Sequence, residues 1–213
     1  ADKFTYNKKK ETLLAEGNVK AIDLLNKITI NSEKILYNKI KNEIISYNKT
    51  NFDIHKKYSI ESENVLLSIL EAIISSNKKT KIIDNQDNKI ELSSFKYFNE
   101  TEIVKGKDIK IFDSDNNRYF IENGMLKLKE YILLGKDIRV FLKNDSFGNP
   151  DNEPKLLGNS IYYKNDKTFI SKGIFTSCKE NNNCPPWSIS SKEITHDKIK
   201  RQIDYKNAWL KIY

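Results

Sequence analysis

Along most of the chain β-branched and aromatic residues alternate with polar ones, and clusters of Asn, Asp, Lys and Gly separate the alternating runs. A period of two bounded by such clusters is the pattern of half-buried strands joined by turns. The pattern therefore predicts β structure from end to end. Polar clusters at 84–88, 113–117 and 144–148 predict hairpin turns or loops. Pro150, Pro154 and two glycines predict a longer excursion over 144–158. Neither Pro185 nor Pro186 can donate to a ladder, so both are placed ahead of a strand that begins near Trp187.

One arrangement recurs. The apolar positions Ile28, Ile30, Ile35 and Tyr37 return as Tyr58, Ile60, Val65 and Leu67, an offset of 30 residues. Ile90, Leu92, Phe95 and Tyr97 repeat the spacing more loosely, as do Trp187, Ile189, Ser191, Ile194 and His196. Within each copy strict alternation is broken once by a step of three, as from 32 to 35. A corner or bulge at that step lets the residues beyond it resume facing inward. Strands that turn a corner and stack on their neighbours form a folded-over sheet or elongated jellyroll with a continuous apolar interior. Val19, Ile28, Ile30, Ile35, Tyr37, Ile60, Val65, Leu67, Ile90, Leu92, Phe95 and Tyr97 are predicted to line it, with Ile189 and Ile194 as the corresponding positions of the last copy. The run Val65–Ile74 also satisfies a helical stripe, but its start is locked to the repeat, which favours a strand.

At 213 residues the chain is long enough for one sizeable core, and a single all-β domain over 1–213 is expected. No run of 18 apolar residues and no charged region ahead of an apolar one is present, so neither a membrane helix nor a signal peptide is predicted. The net charge of +8 invites a nucleic-acid reading, yet only Arg118, Arg139 and Arg201 are arginines. The lysines are scattered among Asn and Ile, as AT-rich codons would produce, and nucleic acid is not expected as a partner. A diffuse cationic surface does attract anionic headgroups.

Candidate chemistry is sparse. Cys178 and Cys184 have no second Cys/His pair to complete a zinc site, and a nucleophilic set built with His196 and Asp197 lacks an oxyanion-hole signal. His55 stands apart, Glu61 and Glu63 share the solvated face of one strand, and no phosphate-binding glycine motif occurs. The chain is expected to be no enzyme and to need no cofactor or metal.

The C-terminal segment, Cys178-x5-Cys184-Pro-Pro-Trp187-x-Ile189-x-Ser191-x-x-Ile194-x-His196-Asp197, resembles the junction between periplasmic jellyroll and membrane barrel in the LptD, or organic-solvent-tolerance, family of lipopolysaccharide-assembly proteins. Leu14-Ala-Glu-Gly17-Asn-Val19 looks like the opening of the OstA-type repeat of that family. The resemblance implies an OstA/LptA-like β-jellyroll at the periplasmic face of the outer membrane in a Gram-negative envelope. It also implies that the sequence is an excerpt whose barrel is absent. Its interior would be a groove for the acyl chains of lipid A. Its partners would be lipopolysaccharide, a periplasmic bridge protein of similar fold at the N-terminal edge (Phe4–Tyr6 and Leu13–Ile22), and the outer-membrane barrel with its lipoprotein plug, which Ala208–Tyr213 would run into. Cys178 and Cys184 would be oxidised, with each other or with cysteines beyond this chain. A free-standing bridge protein of the same fold and a β-rich surface interaction module are the alternatives.

Overall fold

The computed structural model describes residues 1–24, 26–54, 57–84, 88–144, 146, 151–177 and 187–213. Cys178, Cys184, Pro185, Pro186 and His55 lie outside the described residues. The chain divides into two compact units, Ala1–Gly106 and Lys107–Tyr213.

Unit 1 holds β1 (Lys3–Asn7), β2 (Thr12–Asp23), β3 (Ile28–Asn38), β4 (Glu43–Ile54), β5 (Tyr58–Glu63), β6 (Leu66–Ser68), β7 (Ile73–Ser76), β8 (Thr80–Asp84), β9 (Lys89–Leu92) and β10 (Ser94–Phe98). Its strands pair antiparallel. One half of β4 pairs with β5 and the other with β6, while β5 continues to β8 and β6 to β7. The short strands are thus halves of bent rungs, and the whole is one sheet folded along its middle.

The fold line is where the sequence takes its step of three. The ladder shifts between Glu16 and Val19 on β2 and between Ser32 and Lys34 on β3. Asn18, Asn48 and Asn64 adopt positive φ of 45°, 59° and 49° beside it. Asn tolerates the left-handed region better than most residues, which is why it occupies these corners. On either side of the bend the predicted residues are buried: Ile28, Ile30 and Ser32 before it and Ile35 after, then Tyr58, Ile60 and Ser62 before and Val65 and Leu67 after. Register lines Ile30, Phe52, Ile60, Ile82 and Ile90 into one row across five strands. Leu67, Ile74 and Tyr97 form a second row in the other half.

The run Val65–Ile74 departs from the expected strand. It is a hairpin, β6 and β7 joined by a turn in which the Ala72 N–H donates to Ile69 O and Leu70 stands 78% exposed. The apolar residues from Val65 to Ile74 look continuous in sequence, interrupted only by Ser68 and Glu71, but the sheet edge falls among them and the chain must reverse.

Strand β11 (Ile103–Phe112) contains the division between the units. Unit 2 then runs as a meander: β12 (Arg118–Lys127), a 3-10 turn at Leu128–Glu130, β13 (Ile132–Phe141), β14 (Lys155–Lys164), β15 (Lys167–Thr176), β16 (Trp187–Asp197) and β17 (Gln202–Ile212). Each pairs antiparallel with the next. β16 begins at Trp187, as the prolines before it predict. The excursion expected over 144–158 ends earlier, because β14 already starts at Lys155. Gly158 belongs to the bend instead. A Cβ there would collide with the Ile170 methyl, and one on Gly173 would meet Ile194. Asp137, Lys172 and Asn207 carry the positive φ of this bend.

Candidate functional site

The interior of each unit is lined by aliphatic and aromatic side chains from both sides of its bend. Among the predicted lining, Val19, Ile28, Ile30, Ile35, Ile60, Val65, Leu67, Ile90, Leu92, Phe95, Tyr97 and Ile194 are each no more than 5% exposed. Two positions differ. Tyr37 is only half-buried, at the rim of β3, and Ile189 is half-buried while its neighbour Ser188 is inside. On β16 the buried positions are 188, 191, 194, 196 and 197, so the steps of three displace Ile189 from the inner face.

What alternation did not reveal is the set of hydroxyls at the bends. Backbone groups lose ladder partners at a bulge and need others when buried. In unit 1 the Thr50 hydroxyl lies 2.8 Å from Ser46 Oγ, Ser32 donates to Tyr47 O at 3.1 Å, and Ser46 accepts the Val65 N–H at 3.2 Å. In unit 2 Ser191 Oγ lies 2.6 Å from Lys206 O and 2.7 Å from Glu193 O, and accepts both of those residues' N–H groups. The signal was in the sequence, since Ser32, Ser62 and Ser191 hold the same place in three copies of the repeat.

The side opposite each bend is polar. In unit 1 the Asn99 amide donates to Asn26 Oδ1 at 3.2 Å. Just inside, Tyr97 Oη, Asn99 Oδ1 and Glu102 Oε2 are buried without a partner among the described residues. Burial, then the Glu102 carboxylate and Tyr58, push the Tyr97 phenol well above its ordinary range.

In unit 2 the corresponding side gathers Asp113, Asn117 and Tyr119 from the β11–β12 turn, Tyr163 from β14, and His196 and Lys198 from the end of β16. Lys198 Nζ donates to Asp113 Oδ2 at 2.6 Å. Asp113 is desolvated, but its bonds to Lys198 and Asn117 hold its carboxyl below the usual range. Burial pushes the Tyr119 phenol up, and it donates to the same carboxylate at 3.3 Å.

His196, 7% exposed, faces Thr168 in register. Desolvation first, and then the Lys198 charge, lower its pKa, against the opposing pull of Asp197 and Asp113. Between that lowered value and its ordinary value near 6.5 the folded protein binds fewer protons than the unfolded one. Stability from this group is full above about pH 6.5 and falls as the pH drops through the lowered value. Urea midpoints are expected to decrease from pH 7 to pH 5, and His196→Gln to remove that part of the slope. Equal slopes in the two proteins would show that His196 titrates as in the unfolded chain. The Asp197 carboxylate accepts the Lys200 N–H at 3.0 Å and pairs with Lys167 at 3.3 Å.

Outside the bend of unit 2 lies a depression of about 500 Å³. Its floor is the register row Phe120, Arg139, Leu157 and Ile174. Lys110, Arg139 and Lys172 around it are balanced by Asp108, Glu122 and Asp137, so it favours neither sign of charge.

The outer strands are bare. Every residue of β1 is exposed, including Phe4 and Tyr6, and β1 follows β2 only from Thr12 to Glu16. On β17 Trp209 is 75% exposed and Ile212 79%.

No family model matches the chain, and no curated protein matches it. Among solved structures, the crystal structure of LptH from Pseudomonas aeruginosa is similar, with a TM-score of 0.48 and 11% identity over 60% of this chain and 96% of that one. LptH is described there as the LptA-homologous periplasmic component of the conserved lipopolysaccharide transport device.

Proposed function

We propose that the chain carries the acyl chains of lipopolysaccharide inside its folded sheets, as the periplasmic jellyroll of an LptD-like protein at the periplasmic face of the outer membrane. The observation that supports this most is the apolar lining that continues on both sides of the bend in each unit. Covering such chains in water needs only apolar surface, with burial worth about 25 cal/mol per Å². Direction of movement then comes from partners. The bare edge strands β1 and β17 suit β-augmentation, in which a bridge protein adds a strand at β1 and the chain continues past β17 into a barrel. A free-standing bridge protein shares the lining and both edges. The Cys-Pro-Pro-Trp segment is what favours the LptD-like reading.

Photo-crosslinking residues at Ile30, Ile60 and Leu92 are expected to capture lipopolysaccharide, and those at Thr29, Glu61 and Glu91 are not. Equal labelling of the two sets overturns the proposal.

A further inference from the structure

Lys198 joins parts of unit 2 that the sheet alone would hold far apart. Arg118, Phe141, Lys155 and Thr176 lie in register at one end of the meander, and Thr168 and His196 lie at the other. Asp113 precedes β12 and Lys198 follows β16. In a flat sheet they would be separated by about 33 Å along ten-residue strands and about 19 Å across four strand spacings. They are 2.6 Å apart. The bend has brought the two ends of the strands together, and the ion pair sits where they meet.

The contact is built on both sides. Asp113 Oδ1 accepts the N–H groups of Asp115 and Asn117, and Oδ2 accepts the Asn117 amide, so the carboxylate is held rigidly. Lys198 donates its own N–H to Asp166 O, reaches Asp115 at 3.3 Å and lies 5.8 Å from the centre of the Tyr163 ring. Lys127–Glu130, Lys155–Glu153, Lys167–Asp197 and Lys206–Glu193 differ in kind: each joins register partners or near neighbours in sequence.

We propose that Lys198, with Asp113 and Asp115, is an ionic strap that shuts the open side of unit 2, and that its release admits an acyl chain sideways into the apolar interior. The proposal rests on the carriage reading above. Ile138, Leu156, Ile161, Ile170 and Ile194 are at most 2% exposed, so no chain enters until the two halves part. An ion pair at the rim suits that task. Its side chains keep 16% and 13% exposure, so water and salt reach it, whereas apolar contacts behind it do not weaken with salt. An anionic headgroup arriving at the rim offers Lys198 a partner of the same kind as Asp113, and the ligand itself then loosens the strap.

Hydrogen exchange read by mass spectrometry on the whole chain tests the closure. In Lys198→Met, peptides covering 113–119 and 196–201 are expected to exchange about tenfold faster, while those across the bend at 134–140 keep the wild-type rate. Lys198→Arg should exchange nearly as the wild type does. Asp115→Asn, whose side chain is largely exposed, serves as the milder variant should Lys198→Met fail to fold. Transfer of a pyrene-labelled fatty acid from phosphatidylcholine vesicles should quicken in the same variants. Unchanged exchange at both turns overturns the strap. Faster exchange with unchanged transfer overturns its role in entry. Absence of transfer to every protein, wild type included, overturns the carriage reading, and exchange still reports whether the strap closes the unit.

Discussion

Ile60→Ala is expected to destabilise unit 1 by about 3–4 kcal/mol, and Ile60→Asp to leave it unfolded. Ile60 is completely buried, in register with Phe52 on one side and Ile82 on the other. Removing buried aliphatic carbon loses its transfer free energy and leaves a cavity, together about 2–5 kcal/mol. A carboxylate in the same place would have no partner in an apolar row, a far larger penalty. Glu61→Ala, next in sequence, should change stability by less than about 1 kcal/mol, since its pair with Lys49 is a surface one. Urea titration followed by circular dichroism measures all three. The result also distinguishes two forms of interior. A well-packed row gives the full penalty, whereas a loss below about 1 kcal/mol for Ile60→Ala would mean that the halves of the sheet stand apart without ligand.

Ser191→Ala is expected to cost about 2–3 kcal/mol, more than a hydroxyl on a strand normally would. Ser191 is 7% exposed, and its oxygen serves the N–H and C=O groups of both Glu193 and Lys206, which the bend has taken out of the regular ladder. Alanine keeps the shape but leaves two part-buried N–H donors, those of Glu193 and Lys206, without this acceptor, and an unsatisfied donor of this kind costs about 1–3 kcal/mol when buried. The effect should appear in exchange of the peptide spanning 188–194 before it appears elsewhere. A loss under about 0.5 kcal/mol would show that water replaces the hydroxyl and that the bend is held by backbone geometry alone.

Much of this architecture was legible because side-chain direction in a strand follows local sequence. Ile28, Ile30 and Ile35, with Tyr58, Ile60 and Val65, announce both the strand and its bend, since a step of three is the minimal way to keep apolar residues on one face through a bulge. The same rule failed where chain reversal is decided by something distant. In Val65–Ile74 every residue could sit in a strand, and the turn at Ile69–Ala72 falls where β4 begins at Glu43 and β10 ends at Phe98. It also failed at Ile189, where irregular steps on both sides of Ser191 move the inner face onto Ser188. The serines of the bends were visible in the repeat, but their purpose was not, because a lost ladder bond is seen only when both strands are in place.

By itself, then, the sequence determined the all-β class, the recurring bend and the inward-facing side chains of the strands that carry the repeat, because alternation and its interruption are properties of consecutive residues; Phe52, Ile54, Ile74 and Ile82, equally buried, lie on strands the repeat did not mark. Only the tertiary structure decided which edges meet. Nothing local distinguishes Lys198 from the other lysines, and its partner lies 85 residues away. Their pairing depends on how far four intervening strand spacings bend round, a sum of small rotations that no short stretch of sequence encodes.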